Sequence, residues 1–329
     1  ELDTPEPPPG HVRIRIKRAG ICGSDMHYYT EGKIGTFIPK RPFILGHEFA
    51  GDVVALGDMV SSDLLGRRVT VDPSMPCRHC KHCFGGRYNL CRNMRFYGSA
   101  SCDPHIDGGF AEYTIAPASN CYVIPDTLSW GEAAMIEPLS VVLHAAGRAG
   151  NLGGRSVLVT GGGTIGQLMA LVAQCFDASM VVMSDVASFP RATALRLGSD
   201  ATLDATDANF EQQAAEVSNG GFDVVFEASG SAGAFSQAIT AVDRGGTVVQ
   251  IGTLPTPVSS QLNLVMTKEL NVVGSFRFAN VFAAAIALAV SGRMRLSELI
   301  SAVLPLSQMQ NAMELAVCRN EVIKVQIEP

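Results

Sequence analysis

Two hydrophobic periodicities divide the chain. Residues 11–20, HVRIRIKRAG, alternate apolar and polar positions, which predicts a strand with one buried face. From there to residue 125 the apolar runs are short and broken by glycine and proline, as in RPFILGHEFAGDVVALG, RRVTVDP, GGFAEYTIAP and CYVIPD. These runs predict short strands joined by turns, a mostly-β region. After Trp130 the pattern changes: SVLVTGGGTIGQLMALVAQCF reads as strand, glycine turn and helix. MVVMSD, FDVVFEASG, GGTVVQIG and LNVVGSF read as further strands, with helical stretches such as FPRATALRLG and AGAFSQAITAV between them. Alternation of this kind predicts an α/β unit, a parallel sheet with crossover helices, at residues 139–274. The tail, VIKVQIEP, holds one more strand, expected to return to the first region.

A chain of 329 residues is expected to form two domains. Here they are residues 1–138 with 275–329, and residues 139–274. The net charge of −6 argues against a nucleic-acid partner, because phosphate neutralisation needs a basic surface. The longest purely apolar run, Val281 to Val290, is too short to span a bilayer as a helix. Nine cysteines in a chain of this size do not read as a disulfide framework. The expectation is a soluble, cytoplasmic protein whose cysteines bind metal.

In TGGGTIG, Gly161, Gly163 and Gly166 fit the spacing G-x-G-x-x-G, after an apolar strand and before a helix. That context makes a dinucleotide site: glycines let the backbone approach a pyrophosphate, and the helix N-terminus favours its charge. Asp185 follows Gly166 by 19 residues, at the end of the next strand. An acid there accepts hydrogen bonds from ribose hydroxyls and repels a 2′-phosphate, so NAD is favoured over NADP.

Cys77, Cys80, Cys83 and Cys91 lie within fifteen residues, CRHCKHCFGGRYNLC. Thiolates so spaced can wrap one tetrahedral zinc, and a four-sulfur shell leaves no open position for chemistry. An iron–sulfur cluster is the rival metal. His79 and His82 could compete as ligands, but four sulfurs complete the shell, so both are expected to face solvent; buried free thiols are the alternative. Catalysis therefore has to be sought elsewhere. GICGSDMHYY offers Cys22, Ser24, Asp25, His27 and Tyr28, and LGHEFAG offers His47 and Glu48. A cysteine, a histidine and a carboxylate can hold a zinc that keeps a place for water or substrate.

With GHE, GGF, the four-cysteine loop, IEPLSVVLHA and the glycine fingerprint in this order, the chain resembles the zinc-containing medium-chain dehydrogenases over nearly its full length. Within them it looks like the polyol dehydrogenase branch. GICGSDMHYYTEGKIGTF, MRFYGSA, HIDGGF and GSFRF make it similar to members that act on L-idonate. The resemblance implies a GroES-like, mostly-β catalytic domain and a Rossmann domain with a doubly wound parallel sheet. It implies one catalytic and one structural zinc, and a homo-oligomer, with a tetramer favoured.

It also implies roles. Cys22 and His47 would bind the catalytic zinc, with either Glu48 or Glu137 as third ligand. Ser24 would take the substrate's hydroxyl proton and pass it through the cofactor ribose towards His27. Tyr28 and Arg277 match substrate-contacting positions; Ile165, Asp185, Ile251, Gly252, Thr253, Ser275, Phe276 and Arg277 match cofactor-contacting ones. Where sorbitol-type members carry an arginine five residues after the ribose-binding acid, this chain has Pro190, followed by Arg191. Arg191 is expected at the ribose; contact with a 2′-phosphate would make NADP a possible cofactor. The expected reaction is reversible oxidation of L-idonate to 5-keto-D-gluconate. Arg95 and Arg277 would pair with the carboxylate, guanidinium being suited to bidentate recognition. For Arg95 the alternative is a brace behind Cys91. The alternative substrates are neutral polyols such as sorbitol or xylitol.

Overall fold

The computed structural model describes residues 3–318 and 320–329. Strands follow one another as β1 (His11–Gly20), β2 (Glu48–Leu56), β3 (Arg68–Val71), β4 (Ser74–Met75), β5 (Arg95–Phe96), β6 (Tyr113–Pro117) and β7 (Cys121–Val123). Then come β8 (Ser156–Thr160), β9 (Met180–Asp185), β10 (Ala201–Asp204), β11 (Phe222–Glu227), β12 (Val242–Gln250) and β13 (Asn271–Gly274). The chain ends with β14 (Ile300–Pro305) and β15 (Lys324–Glu328).

The alternation in β1 works as its periodicity demands: Val12, Ile14 and Ile16 are buried on one face, in a cluster with Phe49, Val69 and Val71. The strand is the hub of a seven-stranded sheet ordered β14-β15-β1-β2-β3-β7, with β6 also paired to β1. Its pairs are antiparallel except β14 with β15. The register sets Gly20 opposite both Glu48 on β2 and Gln326 on β15. The tail thus returns to the first sheet and lands beside the GHE segment.

The six strands from β8 to β13 form a parallel sheet ordered β10-β9-β8-β11-β12-β13. From the central β8 the sheet grows in both directions, the doubly wound arrangement. Val157, Leu158 and Val159 of β8 are buried on both faces, each contributing about 1.5–3 kcal/mol by burial. The helix Thr164–Cys175 covers one face with Leu168, Met169, Leu171 and Val172. The helix Ile136–Ala149 belongs to the same core cluster through Ile136, Leu139 and Val142, and that cluster also takes in Ala50 of β2, so it bridges the two sheets. Among the described residues no helix is long and apolar enough to cross a membrane.

Candidate active site and metal centres

Cys22 precedes the helix Gly23–Glu31 and His47 precedes β2, so their approach depends on what ties these segments together. Asp25 does this. It is fully buried, and its carboxylate accepts from Cys22 N at 2.9 Å and from Gly46 N at 3.1 Å. Its Oδ1 also stands 3.9 Å from His47 Nδ1. Burial pushes the Asp25 carboxyl up, opposed by His47 and the two backbone donors.

Cys22, His47 and Glu48 form a group whose ligand atoms lie within 4.8 Å of one another. Burial, then the charge of Glu48, pushes the Cys22 thiol up to about 12. A thiol so placed ionises readily only against a cation. Glu137, in the first turn of the helix Ile136–Ala149, is buried beside this group but is not part of it. Burial lifts its carboxyl to about 8, with Glu48 and Cys22 raising it further and His47 opposing. The donor set of one sulfur, one imidazole and one carboxylate suits zinc with an open position.

The remaining candidates surround this group unequally. Ser24 and His27 are half-buried and three residues apart on one helix, so they share a face. His27 Nδ1 is 2.9 Å from Glu31 Oε1. Tyr28 is buried, edge-on to Phe43, and its hydroxyl accepts from Ala100 N at 2.9 Å. Phe96 packs against the His47 ring at 5.6 Å, and the Arg277 guanidinium lies 4.3 Å over the same Phe96 ring. Arg277 also donates to Ser101 Oγ at 3.3 Å. Burial lowers Arg277 to about 10, opposed by the nearby Glu137. Arg95 does not join them. It neighbours Phe96 on β5, and strand alternation turns it to the opposite, exposed side.

The four cysteines converge separately. Sγ separations are 3.4 Å for Cys77–Cys91, 3.6 Å for Cys80–Cys83, 3.9 Å for Cys80–Cys91 and 4.0 Å for Cys77–Cys83. Four thiolates on one zinc at its usual bond length stand about 3.8 Å apart. The sulfurs therefore fit a single tetrahedral ion, and a multi-iron cluster would need them wider. His79 and His82 are outside this group. Backbone donation, chiefly from Cys83, lowers the Cys80 thiol, whereas burial and its sulfur neighbours raise Cys83, so these thiols titrate together as one group.

At the glycine turn, Gly161 has φ +93°, the left-handed region, and any Cβ there would strike Ser229. A Cβ on Gly166 would overlap the Gly161 carbonyl, so this glycine sets the helix against the strand. Gly163, the N-cap of the helix Thr164–Cys175, faces open space and brings no side-chain cap. Free N–H groups facing open space are what a pyrophosphate needs. Gln167, fully buried, fixes the turn by donating to Gly162 O at 3.0 Å and Pro190 O at 2.8 Å. Asp185 accepts from Gly162 N at 2.6 Å and Ala187 N at 2.8 Å, which sets its carboxylate at the turn. Arg191 donates to Asp185 O at 2.7 Å and pairs with Asp204 at 2.8 Å. Ile165 and Ile251 pack on the core beside the turn, Gly252 approaches Gly230 and Glu227, and Thr253 backs Gly230. Ser275 N bonds Gln250 O at 2.9 Å, leading into the exposed Phe276.

Residues 8–126 match the alcohol dehydrogenase GroES-like domain, and residues 164–291 match the zinc-binding dehydrogenase domain. The chain belongs to the zinc-binding alcohol dehydrogenases. As such a dehydrogenase it has the GroES-like plus Rossmann architecture and is an oxidoreductase with a small-molecule substrate. It is 35% identical to the sorbitol dehydrogenase of Bacillus subtilis (strain 168) over 332 residues, covering 100% of this chain and 93% of that protein. It is 36% identical to the L-idonate 5-dehydrogenase (NAD(P)(+)) of Escherichia coli (strain K12) over 317 residues, 95% of this chain and 90% of that one. Its identity to the D-xylulose reductase A of Aspergillus niger is also 36%, over 93% of this chain and 86% of that one. The crystal structure of the Escherichia coli L-idonate 5-dehydrogenase superposes with a TM-score of 0.91 at 35% identity, covering 97% of this chain and 91% of that one. Three substrates at one level of identity show a polyol and sugar-acid dehydrogenase group without selecting among them.

Several residues of this dehydrogenase's site were not assigned a role from sequence: Asp25, Phe96, Asn89 and Lys324. Lys324 is the one with a visible signal, a lone cation inside the apolar strand VIKVQI. His144, on the helix Ile136–Ala149, is half-buried with Nε2 3.4 Å from Asn89 Nδ2. Cys318 is exposed at the end of the helix Met309–Val317.

Proposed function

We propose that this dehydrogenase reversibly oxidises a secondary hydroxyl of a sugar acid, L-idonate to 5-keto-D-gluconate, with NAD as acceptor. The observation that carries the reading is Phe96, whose ring is shared by His47 and Arg277. Laid end to end, the two separations hold the guanidinium within about 10 Å of the imidazole, a span that an extended six-carbon acid covers. A carboxylate at Arg277 then leaves the far hydroxyl at Cys22, His47 and Glu48. A half-buried guanidinium with no carboxylate in hydrogen-bond range among the described residues favours an anionic substrate over a neutral polyol.

Zinc held by Cys22, His47 and Glu48 would supply Lewis-acid polarisation of the hydroxyl, and the nicotinamide would accept the hydride. Asp25 orients Cys22 and His47. Glu137, buried beside them, adds the electrostatic shell that tunes such a site. Ser24 takes the hydroxyl proton and passes it towards His27 on the same helix face. Arg277 binds the carboxylate and Tyr28 walls the cleft. Cys77, Cys80, Cys83 and Cys91 would hold the structural zinc. The NAD preference rests on Asp185, whose charge repels a 2′-phosphate, and on Arg191, which Asp204 already engages. The exposed edge strand β13, with Val272 at its surface, supports a homo-oligomer formed by sheet continuation, and we keep the tetramer as the expected state. Cofactor reduction with L-idonate and sorbitol, each in NAD and NADP, tests the reading. Sorbitol turned over at least as well as L-idonate would move the protein to the neutral polyol enzymes.

A further inference from the structure

We propose that the loop closed by the four cysteines is a positioning clamp for Arg277, so that the structural metal site sets the geometry of the substrate site. The inference deepens the sugar-acid reading and rests on it for the role of Arg277.

Arg277 has φ +51° and Asn280 has φ +62°, so two non-glycine residues in one short segment adopt the left-handed conformation. Asparagine tolerates it; arginine holds it only where the surroundings fix the backbone. The cysteine loop does the fixing through three hydrogen bonds. Asn89 Nδ2 donates to Phe276 O at 2.9 Å. Asn280 N donates to the Tyr88 hydroxyl at 2.8 Å. Asn280 Nδ2 donates to Gly86 O at 2.7 Å. Together they brace the segment on both sides of Arg277.

All three loop partners lie between Cys83 and Cys91. That stretch has only the four-residue helix Lys81–Phe84 and the single turn Tyr88–Leu90 as regular structure. Its shape therefore depends on the sulfurs at its ends. The two segments also share a cleft of about 270 Å³, lined by Asn89, Cys91, Ser101, Phe276 and Arg277. Asn89 is buried, and its amide would lose the shorter of its two contacts, keeping only the 3.4 Å approach to His144, if the segment moved away.

The test uses Tyr88→Phe and Asn89→Ala, which remove one acceptor and one donor and leave every cysteine in place. The KM for L-idonate should rise about tenfold in the double variant, while KM for sorbitol, which has no carboxylate, changes less than about twofold. Equal effects on both substrates would overturn the clamp as a device acting through Arg277. Backbone hydrogen exchange of residues 275–281 gives a second readout that needs no turnover. It should quicken about tenfold in the double variant and in Cys80→Ser, with exchange in β8 unchanged. Unchanged exchange in 275–281 in the double variant would also overturn the proposal. If the parent protein turns over neither substrate, the functional reading fails and the exchange experiment decides the clamp by itself.

Discussion

Lys324 and Glu48 form an ion pair with both side chains only 1% exposed. Lys324 sits on the last strand, and its Nζ also donates to Ile21 O at 2.8 Å, next to Cys22. Burial works against the lysine's charge, and Glu48, Cys22 and Asp25 outweigh it, so its pKa is raised. With Oε2 engaged by the ammonium, Glu48 keeps its other oxygen for a cation at Cys22 and His47. Gly20 makes the room: a Cβ there would stand 2.8 Å from Lys324 Cε and overlap the Glu48 carboxylate. Removing one partner of a buried pair leaves the other charge uncompensated, which costs about 3–5 kcal/mol. Lys324→Met should therefore lower unfolding stability by about that amount, and Lys324→Met with Glu48→Gln should lower it less. Urea unfolding of both variants checks this; a double variant as unstable as the single one would contradict it.

The two cysteine groups should separate in their consequences. Cys22→Ser should bind one zinc fewer and lose activity by at least about a thousandfold, with its melting temperature near that of the parent. Cys80→Ser should also lose one zinc, but with a melting temperature lower by several degrees, about what 2 kcal/mol produces in a chain of this size. Metal analysis, calorimetry and turnover on the same samples distinguish the two. Full turnover in Cys22→Ser would remove that residue from the catalytic zinc.

Local pattern and long-range contact explain what sequence disclosed and what it hid. The glycine turn, Asp185 and the four cysteines were legible because each depends on spacing within one stretch, where close packing or a tetrahedron dictates the residue types. The bridging residues were not. Asn89 finds Phe276 across 187 residues, and Lys324 finds Ile21 across 303. No periodicity encodes such partners. Arg95 shows the opposite failure. Charge drew attention to it, but the pleat of β5 aims its neighbour Phe96 at His47 instead. The choice between Glu48 and Glu137 stayed open because the family resemblance allows either as third ligand; the fold groups Glu48, and not Glu137, with Cys22 and His47.

The nucleotide preference should be held by Asp185 and lost with it. Its carboxylate is set at the glycine turn by two backbone donors, where a 2′-phosphate would meet a fixed negative charge. Asp185→Ser removes that charge and leaves Arg191 as the nearest cation. The ratio of kcat/KM for NAD over NADP should fall by at least about tenfold, mostly through KM for NADP. An unchanged ratio would assign the discrimination to other groups.

Burial of Asp72 should make its contribution to stability fall as pH rises. It is buried between β3 and β4, and burial lifts its carboxyl from 3.8 to about 6, against donation from Ser74 and the charge of Arg78. Between those two pH values the folded protein holds the proton more tightly than the unfolded chain does. Stability from this group is therefore present at low pH and is lost as pH rises through about 6. The full loss is about 3 kcal/mol for a shift of this size. Asp72→Asn keeps an acceptor for Ser74 N and has no charge to bury. It should raise the melting temperature at pH 8, with little effect near pH 4, and flatten the pH dependence between them. Melting curves of the parent and the variant across that range decide it. A variant destabilised equally at both ends would mean that the hydrogen-bonding of Asp72, and not its ionisation, governs the site.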